Sequence, residues 1–381
     1  MERMLSSDDA ARRLGVKVAT VYAYVSRGLL ESHPNPQGRG SLFDLGEIER
    51  LAQRSRGGRT TESRLATITT GVTQLHQDGG PFYRGRSATS LVTVPFEEVA
   101  ELLWEGEGGG DWSPAFLGPC PLTHTLDRMR WALVMCGASD PLRADLRPPS
   151  VIRSARRVIA ALTDVVGPGP QGGDAASPIA RRLAHRLGVA DPDAVAVALN
   201  GALVLMADHE LATSTMAVRV AASAQADICD ALLAGLATLA GPLHGGASQL
   251  AYELLVVAER DGTARALNDV LGQQGRLPGF GHMVYKQGDA RFEALMALVD
   301  PLLSPQCRAL VAEVVELGRA NAVPLPNCDL ALAALSWGTG MAPDTGRTVF
   351  AIARVAGWTA HYLEELSERP LRFRARAVYS V

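Results

Sequence analysis

Gly241-Pro242-Leu243-His244-Gly245-Gly246-Ala247 is the stretch on which the reading of this chain turns. It sets a histidine among glycines, where backbone can approach a ligand closely and present amide donors. Taken alone, such a histidine is equally well explained as a helix cap. Further motifs of the same kind flank it: Ala207-Asp208-His209-Glu210-Leu211-Ala212-Thr213-Ser214-Thr215 upstream, Pro278-Gly279-Phe280-Gly281-His282 downstream, and Pro326-Asn327-Cys328-Asp329 beyond. Each again has a plain account, Pro-Asn-x-Asp being a turn sequence. Together they supply one acid and imidazoles that titrate near neutral pH. A carboxylate set against the α-carbon of a carbonyl compound removes a proton if a nearby donor steadies the enolate oxygen. One imidazole serves that end, a second protonates the carbonyl oxygen of an electrophile, and arginines hold carboxylates by bidentate pairing. That is condensation chemistry without a metal.

The 381 residues allow two or three domains at roughly 100–200 residues each. Hydrophobic residues at 47%, charged residues at 20% and aromatics at 5% argue against a largely disordered chain and fit a compact, alanine-rich, mainly α protein. The most apolar uncharged stretches, Ala194–Ala207 and Ala231–Leu243, are each shorter than the about 20 residues a bilayer crossing needs, so no membrane partner is expected. Met1-Glu2-Arg3-Met4 leads straight into polar Ser6-Ser7-Asp8-Asp9, so no secretory leader is expected. Five cysteines (Cys120, Cys136, Cys229, Cys307, Cys328), odd in number and never in a C-x-x-C pair, argue against a zinc ribbon and a disulfide framework. A reducing cytoplasm is the expected home. A net charge of −3 excludes a whole-molecule electrostatic surface for nucleic acid. Of 37 cationic side chains only Lys17 and Lys286 are lysines, a bias that looks like coding habit.

Pro95–Trp104 reads as an amphipathic helix entered through proline, and Leu65–Val72 as a strand-like piece followed by a turn at Asp78–Pro81. Gly106–Gly110 and Gly167–Gly173 read as loops, since no apolar strand leads either into a phosphate-binding glycine fingerprint. No repeat of fixed period is present.

At the N-terminus, Ser7 reads as the N-cap of a helix carrying Ala10, Ala11 and Leu14, with Asp8 and Asp9 in its first turn. Gly15 breaks it. A second helix over Val18–Arg27 places Val21, Tyr24 and Val25 at helical spacing and ends at Gly28. A turn from Pro34 to Gly40, a wing strand at Ser41–Asp44 and a third helix at Leu45–Gln53 complete a helix-turn-helix pattern. The run from Ser7 to Leu30 resembles the MerR-like and excisionase-like winged helix-turn-helix family. The resemblance covers most of Met1–Arg56, ahead of a polar linker at 57–64. In that family the second helix enters the major groove, which implies DNA contacts at Lys17, Thr20, Tyr22 and Arg27. Met1–Arg64 carries 11 Lys and Arg against 8 Asp and Glu, a thin surplus for neutralising phosphates, so oligomerisation or protein contact is the competing use.

Leu65–Val381 resembles citrate synthase. The likeness rests on Tyr83-Arg84-Gly85 with Phe96-Glu97-Glu98-Val99, on the histidine and aspartate motifs above, on the continuation Met283-Val284-Tyr285-Lys286, and on Phe350-Ala351-Ile352-Ala353-Arg354-Val355-Ala356-Gly357-Trp358. It implies a mainly α, two-domain homodimer, with a large domain at 65–245 and 341–381 and a small domain at 246–340 that closes over it. It implies that Asp329 takes the methyl proton of acetyl-CoA, His244 steadies the enol and His282 acts on the carbonyl of oxaloacetate. His209 and Arg291 would bind oxaloacetate, and Arg372 would supply a further arginine, with Arg369 as its rival. Three departures stand out: Met283 where relatives place arginine, Ala290 where they place proline, and only nine residues after Arg372. The last leaves Arg374 or Arg376 to reach the partner subunit's substrate, or that carboxylate less strongly held. The implied reaction joins acetyl-CoA to oxaloacetate to give citrate and CoA, a tricarboxylic acid cycle step, with propionyl-CoA giving 2-methylcitrate as a close variant. Acetyl-CoA is then a co-substrate, with no permanently bound cofactor and no metal. The alternative is a DNA-binding transcriptional regulator whose synthase-like part senses a CoA ester or carboxylate metabolite with little turnover.

Overall fold

A computed structural model describes residues 4–14, 16–26, 28–35, 40–45, 47–48, 68–77, 79–115, 117–167, 176–241, 244–321 and 323–374. The chain divides into two compact units, Met1–Thr69 and Thr70–Val381.

In the first unit the strand Ser41–Asp44 lies between Met4–Ser6 and His33–Pro34, antiparallel to both. Helices Ser7–Leu14 and Val18–Ser26 pack on a small core of Ala10, Ala11, Val21, Leu30, Phe43 and Ile48. The cap of the first helix is Ser6 rather than Ser7: Ser6 Oγ accepts from the Asp9 amide at 3.2 Å and donates to Asp9 Oδ2 at 2.7 Å. Pairing of Met4–Ser6 in the sheet sets this boundary, so the cap falls on the last strand residue. Gly28, at φ 69°, ends the second helix. Of the expected third helix only Leu45, Glu47 and Ile48 are described, with Asp44 Oδ1 accepting from the Glu47 amide at 2.9 Å. Gly15, Arg27, the rest of that helix and the 57–64 linker lie outside the described residues.

The second unit opens on a three-stranded antiparallel sheet, Thr73–His76, Gly80–Tyr83 and Arg86–Ser87, in chain order. Of the strand expected at Leu65–Val72, residues 68–72 are irregular and 65–67 lie outside the described residues. Gly71 donates its amide to Glu364 Oε1 at 2.8 Å, which ties this backbone to a helix instead of a sheet. Among the described residues the rest of the regular structure is helical, from the short 3-10 helix Ala88–Leu91 through to Thr345–Leu366. Polar caps the sequence displays start several of these helices, among them Asp191, Asp227 and Ser304.

Thr345–Leu366 is buried on nearly every side, the signature of a helix enclosed by others. Phe96–Trp104, Pro148–Val165, Pro192–Met206, Thr213–Ser223 and Ile228–Leu239 surround it. A second group, Ala247–Asp261, Thr263–Gln274, Ala290–Val299, Pro305–Ala320 and Cys328–Gly338, packs mostly on itself. Among the described residues no single helix is long and apolar enough to cross a membrane.

Candidate active site

One wall of the site is built from backbone. Phe280 bridges to Pro326 antiparallel, Gly281 donates to the Leu325 carbonyl at 2.8 Å, and Asn327 donates to the Gly279 carbonyl at 2.9 Å. Both glycines hold positive φ, 79° and 74°, and a Cβ on Gly279 would stand 2.8 Å from Leu330 Cβ. Asn327 then caps the Cys328–Gly338 helix, its Oδ1 accepting from the Asp329 amide at 2.9 Å while its Nδ2 donates to the Gly281 carbonyl at 2.7 Å. Two short loops are thereby clipped together with His282 on one and Asp329 on the other. His282 Nδ1 accepts the Val284 amide at 3.1 Å, so the proton of the neutral ring sits on Nε2. Burial, reinforced by Arg291, pushes the His282 pKa down to about 4 and keeps the ring neutral at pH 7. Burial pushes the Asp329 carboxyl up to about 6, with Arg291 pulling the other way. A base with that value is tuned for work near neutrality.

The opposite wall is built from side chains of the enclosed helix. Arg354, Gly357 and His361 recur at helical spacing along one face. Arg354 Nε donates to the Met206 carbonyl at 3.0 Å, the Gly357 amide donates to the Ala207 carbonyl at 3.0 Å, and His361 Nε2 stands 3.3 Å from Asp208 Oδ2. These three bonds fix the loop that ends in His209. Glycine is required at 357, because a Cβ there would lie 2.1 Å from Asp208 Oδ1 and 2.6 Å from the Ala207 carbonyl oxygen. Tyr83 anchors the same loop, its hydroxyl donating to the Val204 carbonyl at 3.0 Å. Trp358 Nε1 donates to Ser214 Oγ at 3.3 Å, and that oxygen lies 2.8 Å from His244 Nε2. With Ser214 giving its hydrogen to Nε2, the imidazole keeps its N–H on Nδ1. Burial lowers the pKa of both His209 and His244; Arg291 and Arg354 add to the fall at His209, and Arg354 adds to it at His244. Tyr285 joins the two walls: its hydroxyl is 2.9 Å from His209 Nε2 and its ring stacks on His282 at 4.5 Å.

His209, His244, His282, Asn327 and Asp329 line one cavity of about 630 Å3. Met283, 90% exposed, lies on the same lining. Arg291 sits behind it, buried, forked onto Asp289 at 2.9 and 2.8 Å with Nη2 3.5 Å from His282 Nε2. Arg372 does not reach the cavity. Its guanidinium forks onto buried Glu365 at 2.6 and 2.5 Å, a pairing that a tail position beside the end of the long helix favours. The rival Arg369 is exposed and also absent from the lining. The arginine that sequence reasoning passed over is Arg354, buried behind Phe350, whose ring it covers at 4.4 Å and which meets His244 edge-on at 6.0 Å. Its signal lay in the Phe350–Trp358 motif itself. In the first unit Lys17 is exposed, Thr20 is half-buried, and Tyr22 is 41% exposed with its ring edge-on to Phe43; Arg27 lies outside the described residues. Among the described residues no group of three or more His, Cys, Asp or Glu is placed to hold a metal ion.

A helical unit with three histidines of lowered pKa and a half-buried aspartate around one cavity is the architecture of an acid-base enzyme. The family model described as "Citrate synthase, C-terminal domain" matches residues 115–376, and one described as "Helix-turn-helix domain" matches residues 4–56. The chain is 29% identical over 271 residues to "Citrate synthase 2" of Bacillus subtilis, spanning 68% of this chain and 73% of that one. It is 28% identical over 323 residues to a "2-methylcitrate synthase" of Mycobacterium tuberculosis, spanning 76% and 82%. Its fold matches the solved citrate synthase of Thermoplasma acidophilum in ternary complex with carboxymethyl coenzyme A and oxaloacetate, with a TM-score of 0.70 at 22% identity over 86% of this chain and 96% of that one. The citrate synthase of Thermotoga maritima matches with a TM-score of 0.68 at 23% identity, over 83% and 93%. This chain belongs to the citrate synthase family and carries a helix-turn-helix domain ahead of the family's fold.

Proposed function

We propose that the chain condenses an acyl-CoA with a 2-oxo acid, acetyl-CoA with oxaloacetate in the first instance, to give citrate and free CoA. An oxygen of Asp329 takes the methyl proton of the thioester, and His244 Nδ1–H holds the enolate oxygen that forms. The enolate carbon attacks the ketone carbon while His282 Nε2–H gives its proton to the ketone oxygen. Water then cleaves the new thioester and releases CoA. His209, Arg291 and Arg354 would hold the carboxylates of the oxo acid; the buried charge of Arg354, which acts on both His209 and His244, supports it over Arg372, whose guanidinium is held by Glu365. The observation that carries the reading is the convergence of Asp329, His244 and His282 on one cavity. Propionyl-CoA, giving 2-methylcitrate, is the variant to test beside acetyl-CoA. The same reading makes the protein a cytoplasmic homodimer whose small domain, 246–340, closes over the large one.

Thiol release by purified protein tests this. It is expected only with both substrates present and is lost in Asp329→Asn. A second reading rests on the helix-turn-helix match: a regulator that binds DNA through Lys17, Thr20, Tyr22 and Arg27 and reports a bound CoA ester or carboxylate. No thiol release from any acyl-CoA and oxo acid pair, together with sequence-selective duplex binding that shifts with ligand, would favour it.

A further inference from the structure

The long helix Thr345–Leu366 begins at a second cavity, of about 560 Å3, which shares no lining residue with the catalytic one. Thr345 lines it and is only 2% exposed, yet its Oγ1 has no hydrogen-bond partner. Arg128, near the start of the helix Thr125–Ala138, lines it from the other side. The buried Nε of Arg128 is also without a partner, and Nη1 reaches the Gly167 carbonyl only at 3.5 Å. Neither helix start is closed by a side chain, since Asp344 and His124 make no capping bond. The Thr345 amide turns back to the Ala342 carbonyl at 3.0 Å, and the remaining first-turn amides stand at the positive ends of helices of 14 and 22 residues with no side chain capping them. Burial pushes the Arg186 pKa down, Asp164 pulls it back and the like charge of Arg128 adds to the fall, so two guanidiniums stand in each other's field here. Asp344, partly exposed, is the single acidic side chain among the described lining residues.

We propose that this cavity binds a phosphate group, free or carried by a small metabolite, between the two helix starts, with Arg128 and Thr345 as its side-chain ligands. A carboxylate presents two oxygens; the guanidinium, the hydroxyl and two sets of amides suit the several oxygens of a phosphate. The volume leaves room for more than the phosphate itself. The site is separate from the condensation reading and stands or falls without it.

Calorimetric titration of the full chain with inorganic phosphate and with AMP, against sodium chloride at matched ionic strength, tests the proposal. Saturable binding of either is expected, tighter AMP binding assigning an ester and equal binding the free ion. Arg128→Gln is expected to weaken it at least about tenfold, and Thr345→Val by about three- to tenfold. Asp344→Asn is expected to tighten it by about threefold, a gain that a folding defect does not produce. Far-UV circular dichroism and the unliganded melt check that each variant is folded. The proposal is overturned by no saturable binding of either probe, or by binding that Arg128→Gln and Asp344→Asn leave unchanged.

Discussion

The two walls of the catalytic cavity are made by different means. The wall with His282 and Asp329 is local: positive-φ glycines, a backbone bridge and an asparagine cap, all within the stretches 279–285 and 325–330. The wall with His209 and His244 is held from afar, by Arg354, Gly357, Trp358 and His361 reaching back across some 150 residues of chain. A local wall announces itself in short motifs, whereas the residues that hold a remote one leave no spacing to read.

The largest effect expected on this contrast belongs to the local wall. Asp329→Asn removes the proposed base and is expected to lower kcat by about 10²–10⁴-fold in a thiol-release assay. The same change is expected to raise stability. The folded pKa of about 6 lies above the ordinary 3.8, so the wild-type carboxyl favours the folded state less as pH rises from about 4 through about 6. Thermal melts at pH 8 are then expected to show the variant more stable by about 3 kcal/mol, the gap closing below about pH 4.

Next comes a pair that sorts two arginines. Arg354→Gln is expected to raise KM for the oxo acid by an amount equal to about 2–5 kcal/mol of lost binding. Arg372→Gln, at a residue whose partner is Glu365, is expected to lower the melting midpoint and leave KM within about threefold. The reverse outcome would restore Arg372 to the site. Gly357→Ala is expected to cost about 1–3 kcal/mol in a denaturant melt, since the new methyl meets Asp208 and the Ala207 carbonyl. Smallest is Ser214→Ala, about tenfold in kcat with KM little changed, because His244 loses the bond that sets its tautomer while the ring itself stays.

The same contrast explains what could be read ahead of the structure. His244, His282 and Asp329 were legible because each stands in a short motif of glycines or a turn, and His209 because its Ala207–Thr215 run forms part of the family pattern the chain resembles. The helix entered through Pro95 was legible for the same reason, its start marked by a local residue. Arg354 was hidden, although its motif was in plain view, because only packing tells a buried arginine facing the loop before His209 from one paired with a glutamate. Asp208 with His361 was hidden likewise, the two lying 153 residues apart. The described end of the strand expected at Leu65–Val72, residues 68–72, is irregular through a bond of the same long-range sort, Gly71 to Glu364.

The pH dependence of kcat/KM for the acyl-CoA, followed by thiol release in the wild type and in Asp329→Asn, goes straight to the central claim. The wild type is expected to gain rate with rising pH along a limb of apparent pKa near 6, and the variant to lose both the rate and the limb. Wild-type turnover in Asp329→Asn, or a profile flat from about pH 5 to 7 in the wild type, would show that this carboxylate is not the base.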